Sequence, residues 1–131
     1  MCPIAHRSAD VLCVGIDDAA MQTRRLILEK AGHSVTQARD LRRVKDACES
    51  KSFDVVMLGH SLNANEKKRI TDVVLSSCNS AKILELHLSN TPDLPEADAH
   101  LQVTVSQPQG LVEAVTGLLK APGKKKARHS S

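Results

Sequence analysis

Short, nearly continuous apolar runs alternate along this chain with longer stretches of helical period, and that alternation constrains the fold more than any other feature. The first run, Val11-Leu12-Cys13-Val14-Gly15-Ile16, has the character of a parallel strand buried on both faces. Asp17 and Asp18 follow, offering an N-cap and an acidic first turn. Ala20, Ile27, Leu28 and Ala31 then share one helical face, and Gly32 supplies a left-handed C-cap. The unit repeats. Residues 34–37 make a short strand around Val35, and Asp40 caps a helix with Leu41, Val44 and Cys48 inward. Residues 55–58 make a third strand, followed by a polar loop over 59–65 and a helix with Ile70, Val73 and Val74 inward. Residues 83–88 read as a fourth strand, and Leu101, Val103 and Val105 alternate as a fifth, half-buried one. Pro108 opens a last helix with Leu111, Val112, Val115, Leu118 and Leu119 on one side, and Ala121-Pro122-Gly123 ends it.

Five strands separated by helices imply an α/β protein, a three-layer α/β/α sandwich, because parallel crossovers need a covering helix and are right-handed. One crossover is irregular. Asn90, Pro92 and Pro95 fall between strands four and five, so the fourth helix is expected to be shortened or missing, with at most one turn over residues 96–99. The domain organisation expected is an N-terminal extension over 1–10, one domain over 11–120 and a basic tail over 121–131.

Charge divides along the same boundary. The chain carries 18 basic and 15 acidic residues, but Lys120, Lys124, Lys125, Lys126 and Arg128 crowd its end with no acid, so 13 basic residues face 15 acidic ones before them. The body is slightly acidic and the net +3 belongs to the tail. That tail reads as a solubilising end, a weak non-specific nucleic-acid contact or a contact for an acidic partner; specific nucleic-acid binding is not expected. Five charges allow a salt slope of at most about 4.5. With one Phe, no Tyr and no Trp, a base-stacking RNA module is excluded. The cysteines, Cys2, Cys13, Cys48 and Cys78, form no CxxC pair, and those in apolar-periodic segments read as small hydrophobes, so neither a disulfide framework nor a structural zinc is expected. Residues 1–10 lack the apolar stretch of a signal sequence, and no run approaches the roughly 18 apolar residues of a membrane helix, which places the protein in the cytoplasm without membrane contact.

In a sheet of this kind ligands sit at the carboxyl ends of the strands, here residues 15–18, 59–61, 87–89 and 106–108. At this point the chain resembles a response-regulator receiver domain, the phosphoacceptor module of two-component signalling. The residues that carry the likeness are Val11-Leu12-Cys13-Val14, the ungapped spacing to Leu28-Glu29-Lys30-Ala31-Gly32, Phe53-Asp54-Val55-Val56-Met57-Leu58, Ala97-Asp98-Ala99, and Gln107-Pro108. The resemblance implies the flavodoxin-like and CheY-like strand order 2-1-3-4-5. It also implies a pocket with two magnesium-binding acids, a phosphoacceptor aspartate, a Ser or Thr, and a Lys, whose chemistry is phosphoryl transfer assisted by a hard metal ion. Those five positions fall on Gly15, Ile16, Gly59, His87 and Gln107, and all five are changed. Gly59 has no side chain to phosphorylate, and Ile16 replaces an oxygen ligand with hydrocarbon. Thr104 stands where receivers keep a signalling aromatic residue, and Gln107-Pro108 where they often keep a cis peptide bond.

The function expected is therefore a degenerate receiver: no enzyme, no magnesium or other cofactor at the family site, no phosphorylation there, and action by binding another signalling protein. An alternative is a metal-sensing or ligand-sensing pocket in which His60 and His87, ending adjacent strands, approach Asp17 or Asp18. Two polar residues filling a vacated acidic pocket is the plainer reading of the same histidines. A phosphohistidine at His87 is disfavoured because histidine phosphotransfer proteins present that residue on an exposed helix. No Gly-rich phosphate loop, Ser-His-Asp order or paired carboxylates supports another enzyme. Lys67-Lys68-Arg69, Arg24-Arg25 and Arg42-Arg43 read as solvated helix faces.

Overall fold

The computed structural model describes residues 8–77, 81–88, 91–103 and 108–119. The apolar runs form β1 (Asp10–Val14), β2 (Ser34–Ala38), β3 (Val55–Leu58), β4 (Lys82–His87) and β5 (Ala99–Gln102). They make one sheet of order β2-β1-β3-β4-β5, and every pair is parallel. Among the described residues four helices connect and cover it: α1 (Asp18–Lys30), α2 (Leu41–Ser50), α3 (Ala64–Ser77) and α4 (Pro108–Leu119). This is the expected α/β sandwich in the expected order.

Alternation along the central strands sorts their side chains into two core layers. Leu12, Val14, Val56, Leu58 and Ile83 pack with Val44, Ile70 and Val74 of α2 and α3. Val11, Cys13, Val55, Met57, Leu84 and Leu86 pack with Met21, Leu28, Leu111 and Val115 of α1 and α4. Burying such a side chain contributes about 1.5–3 kcal/mol, so the two layers supply most of the driving force. Helix ends follow the capping rules. The Ala20 amide donates to Asp17 Oδ1 (3.2 Å) and the Arg43 amide to Asp40 Oδ1 (2.9 Å), while Gly32 takes φ 99° after α1. Asn63 and Glu66 form a reciprocal box at the start of α3, each side chain accepting the other's amide at 2.8 and 3.0 Å.

Three expectations need correction. Leu41 is 37% exposed, because as the first residue of α2 it precedes the turn that packs on the sheet. The fifth strand forms at Ala99–Gln102, ahead of the alternating valines, because Leu84 to His87 of β4 pair with Ala99 to Gln102. Cys48 is in a disulfide whose partner lies outside the described residues, while Cys13 is a buried free thiol. Chain spacing cannot reveal a bridge that depends on Cα separation in the fold.

Between β4 and β5 the described residues contain no helix. Leu94 enters the core beside α3 and the Asp98 carboxylate accepts the Ile83 amide (2.7 Å), so an irregular segment does the covering. Cys2, Cys78, Ser89, Asn90, Thr104, Val105, Ser106, Gln107, the Gln107-Pro108 bond and the tail from Lys120, with Lys124, Lys125, Lys126 and Arg128, lie outside the described residues. Among the described residues no helix is long and apolar enough to cross a membrane.

Candidate functional site

Register brings the carboxyl ends of β1, β3 and β4 to one edge. Val14 is opposite Leu58, and Leu58 is opposite Glu85, so Gly15, Gly59 and His87 follow at neighbouring strand ends. The Gly59 amide donates to the Val14 carbonyl (2.8 Å), which locks the two glycine-bearing ends together.

Side chains of α1 fill the room that the two glycines leave. A Cβ at Gly59 would lie 3.2 Å from Arg24 Nη1 and 3.0 Å from the Val14 carbonyl oxygen. A Cβ at Gly15 would lie 3.3 Å from Met21 Sδ and 3.5 Å from Ser61 Oγ. Met21 and Arg24 stand three residues apart and so share a helix face. The half-buried Arg24 donates through Nη2 to His60 Nδ1 at 2.6 Å. The ring therefore carries its proton on Nε2. Burial, then the Arg24 charge, pushes the His60 pKa below its ordinary value of 6.5, against a smaller opposing pull from Asp17, and the ring stays neutral. Beneath them burial pushes the Cys13 thiol up to about 12, too high for a reactive thiolate. Arg24 was expected on a solvated face; its neighbour Arg25 is there, paired with Glu29 at 3.3 Å.

The remaining candidates are engaged elsewhere. Asp17 caps α1, and Asp18 pairs with Arg39 at 2.9 Å. Ile16 is 49% exposed, and its amide donates to Ser61 Oγ (3.2 Å). His87 is buried and meets His100 edge to face at 6.4 Å, while His60 faces Arg24. Among the described residues no three His, Cys, Asp or Glu side chains gather to hold a metal ion, so His60, His87, Asp17 and Asp18 do not assemble one site. A guanidinium therefore stands between these strand ends, beside Gly59.

A second polar cluster lies beside the pocket, and the sequence reading missed it. Lys67 of α3 is 1% exposed and donates to Glu85 Oε2 (2.8 Å), the Leu86 carbonyl (3.0 Å) and Asp93 Oδ2 (3.1 Å). Three acceptors match its three ammonium protons. Glu85, fully buried, also accepts the Asp93 amide (2.8 Å) and the Leu94 amide (3.0 Å). Burial alone would push its carboxyl up, but the Lys67 and backbone hydrogen bonds with the Lys67 charge hold it below its ordinary value. His100 Nε2 donates to the Leu94 carbonyl at 2.7 Å and closes the ring. The cluster ties Asp93 and Leu94 of the crossover to β4 and corrects the solvated reading of Lys67. Lys67, Ile70, Thr71 and Val74 share the buried face of α3, which was the available signal.

No family model matches the sequence, and no curated protein does. Solved structures do match. A CheY-like response regulator receiver domain from Methanospirillum hungatei aligns with a TM-score of 0.75 at 19% identity, over 91% of this chain and 99% of its own. The chemotaxis response regulator CheY4 of Vibrio cholerae aligns at 0.73 and 21%, over 86% and 99%. The receiver domain of a Pseudomonas aeruginosa sensor histidine kinase, solved with magnesium coordinated in its active-site cleft, aligns at 0.71 and 13%, over 86% and 98%. The chain has the fold of CheY-like response-regulator receiver domains.

Proposed function

We propose that this chain is a receiver-fold module of two-component phosphorelay signalling that works without phosphorylation, by binding another signalling protein. One observation carries the reading: at Gly59, the residue read as the acceptor position, even a Cβ would lie 3.2 Å from Arg24 Nη1. On this reading neither nucleophile nor hard oxygen ligands remain at Gly59, Gly15 and Ile16, and the Arg24 guanidinium would repel a divalent ion placed beside it. The cell would therefore use the shape of the domain rather than its chemistry, and no cofactor or enzymatic step enters the account. A cytoplasmic setting fits this role, with the Cys48 disulfide forming there only under oxidation.

The test is incubation of the full chain with magnesium and acetyl phosphate, followed by intact-mass measurement. The expected spectrum shows no gain of a phosphoryl group. A hydroxylamine-sensitive adduct, the signature of an acyl phosphate, would refute the proposal. An adduct stable to alkali but labile to acid would place the phosphoryl group on a histidine and refute it equally.

A further inference from the structure

Cys48 lies on the inward face of α2, 7% exposed, and its sulfur is in a disulfide, whereas Cys13 is a free thiol. The chain holds two other cysteines, Cys2 and Cys78, so one of them is the partner. Packing separates the two. Cys48 belongs to the core layer that α2 and α3 cover, and Val74 and Ala81, which bracket position 78 in the sequence, are buried in that same layer. Ala9, the described core residue nearest to Cys2 in the chain, belongs to the opposite layer. The neighbours of Cys48 therefore point to Cys78.

Folding does not depend on this bond. Val44, Phe53, Ile70 and Val74 already close the layer around Cys48, each no more than 3% exposed, and Lys67 ties α3 to β4 independently. Cys13 cannot exchange with it. That sulfur sits in the opposite layer, and burial pushes its thiol up to about 12, so almost no thiolate forms. One pair of sulfurs is left to open and close within an otherwise complete core. In a reducing compartment a disulfide of this kind responds to redox rather than holding the fold.

We propose that Cys48 and Cys78 form a reversible disulfide that is the input of this module, switching its α2 and α3 side between a stapled and an open state. The bond closes a loop that contains β3, Gly59 and all of α3, so it constrains one whole side of the sheet. The co-reactant is glutathione disulfide. One protein thiolate attacks it, forming a mixed disulfide and displacing a glutathione thiolate. The second protein thiolate attacks the protein sulfur of the mixed disulfide, closing the Cys48–Cys78 bond and displacing the other glutathione thiolate. Two electrons and two protons pass from the protein thiols to the two glutathione thiols, and excess glutathione reverses the exchange. The inference rests on the reading of the chain as a receiver fold without a phosphoryl input, and it names the covalent signal that takes its place.

The full chain is equilibrated in glutathione buffers from reduced to oxidised, alkylated, digested with trypsin without reductant and weighed. Each cysteine falls in its own tryptic peptide, so a linked pair of residues 46–51 and 70–82 identifies the bridge. That pair should form in the oxidised buffers and disappear on return to reduced ones. Closing a loop of this length should lower the unfolding equilibrium constant roughly a hundredfold or more, read as a higher urea midpoint. Amide resonances of α2 and α3 should shift between the two states. Cys78→Ser and Cys48→Ala should each abolish all of these effects, and each variant's own spectrum reports that it remains folded. A link through Cys2 or Cys13, a link between two chains, no link in oxidised glutathione, a link that reduced glutathione leaves closed, or unchanged α2 and α3 resonances would overturn the proposal. A phosphoryl adduct would refute the functional reading and leave the bridge measurement standing, so the two can fail separately.

Discussion

Lys67→Ala is expected to destabilise the protein by about 3–5 kcal/mol, the loss measured when one partner of a buried ion pair is removed. Domains of this size hold only about 5–15 kcal/mol in total, so the urea midpoint should fall steeply. The loss comes from what is left behind. Glu85 would remain as a carboxylate without exposed surface, held by the Asp93 and Leu94 amides alone, and the crossover would lose its tie to α3. Lys67→Met should be nearly as damaging, since it restores volume but no positive charge. Glu85→Gln should cost less than Lys67→Ala, because a carbonyl oxygen still accepts one of the amides. The same cluster sets an acid limit. Because the folded Glu85 carboxyl titrates below its ordinary 4.5, its contribution is fully present above that pH and is lost as pH falls through the folded value. Acid unfolding should therefore begin below about pH 4.5 and be shallower in Glu85→Gln. A Lys67→Ala protein within about 1 kcal/mol of the parent would show that the cluster is not the crossover's anchor.

Gly59→Ala should destabilise by about 1–3 kcal/mol, the usual cost of overpacking. Its Cβ meets the Val14 carbonyl at 3.0 Å, and that oxygen belongs to a central strand that cannot easily move, whereas Arg24 at 3.2 Å can swing away. Gly59→Asp brings the same crowding together with a carboxylate beside the guanidinium. At neutral pH it should therefore be more stable than Gly59→Ala. That advantage should vanish in acid as the new carboxylate protonates, and it should be absent at every pH in an Arg24→Gln background. On the proposed reading an acid at 59 should not make a working receiver, because the positions read as metal ligands are Gly15 and Ile16 and the new carboxylate would be neutralised by Arg24. An aspartate variant no more stable than the alanine one would show that Arg24 does not command this space.

The architecture was legible because its signals are local: unbroken apolar runs for β1, β3 and β4, capping aspartates at 17 and 40, and Gly32 at a turn needing positive φ. That Gly15, Ile16 and Gly59 carry no acid was also visible in the sequence. What packs beside the glycines was not, since Arg24 lies beside an ordinary surface arginine and only the packing of α1 on the strand ends separates the two. Lys67 and Glu85 conceal each other in the same way. A lysine on the apolar face of α3 and a glutamate within Ile83-Leu84-Glu85-Leu86 each break the local pattern, and only tertiary pairing makes either affordable. Leu41 went the other way, an apolar residue in phase with its helix yet left exposed at its end. The separation of His60 from His87 has a related reason: adjacent strand ends bring backbones together, but one ring faces Arg24 and the other His100.

The most direct test adds magnesium and beryllofluoride, a phosphoryl mimic, to the labelled full chain while amide resonances are followed. With Arg24 beside Gly59 and no acid to coordinate the mimic, the resonances of Gly15, Gly59, His60 and His87 should not move. Saturable shifts at those residues would contradict the account, because they would mean that the pocket still binds the ligands of a working receiver.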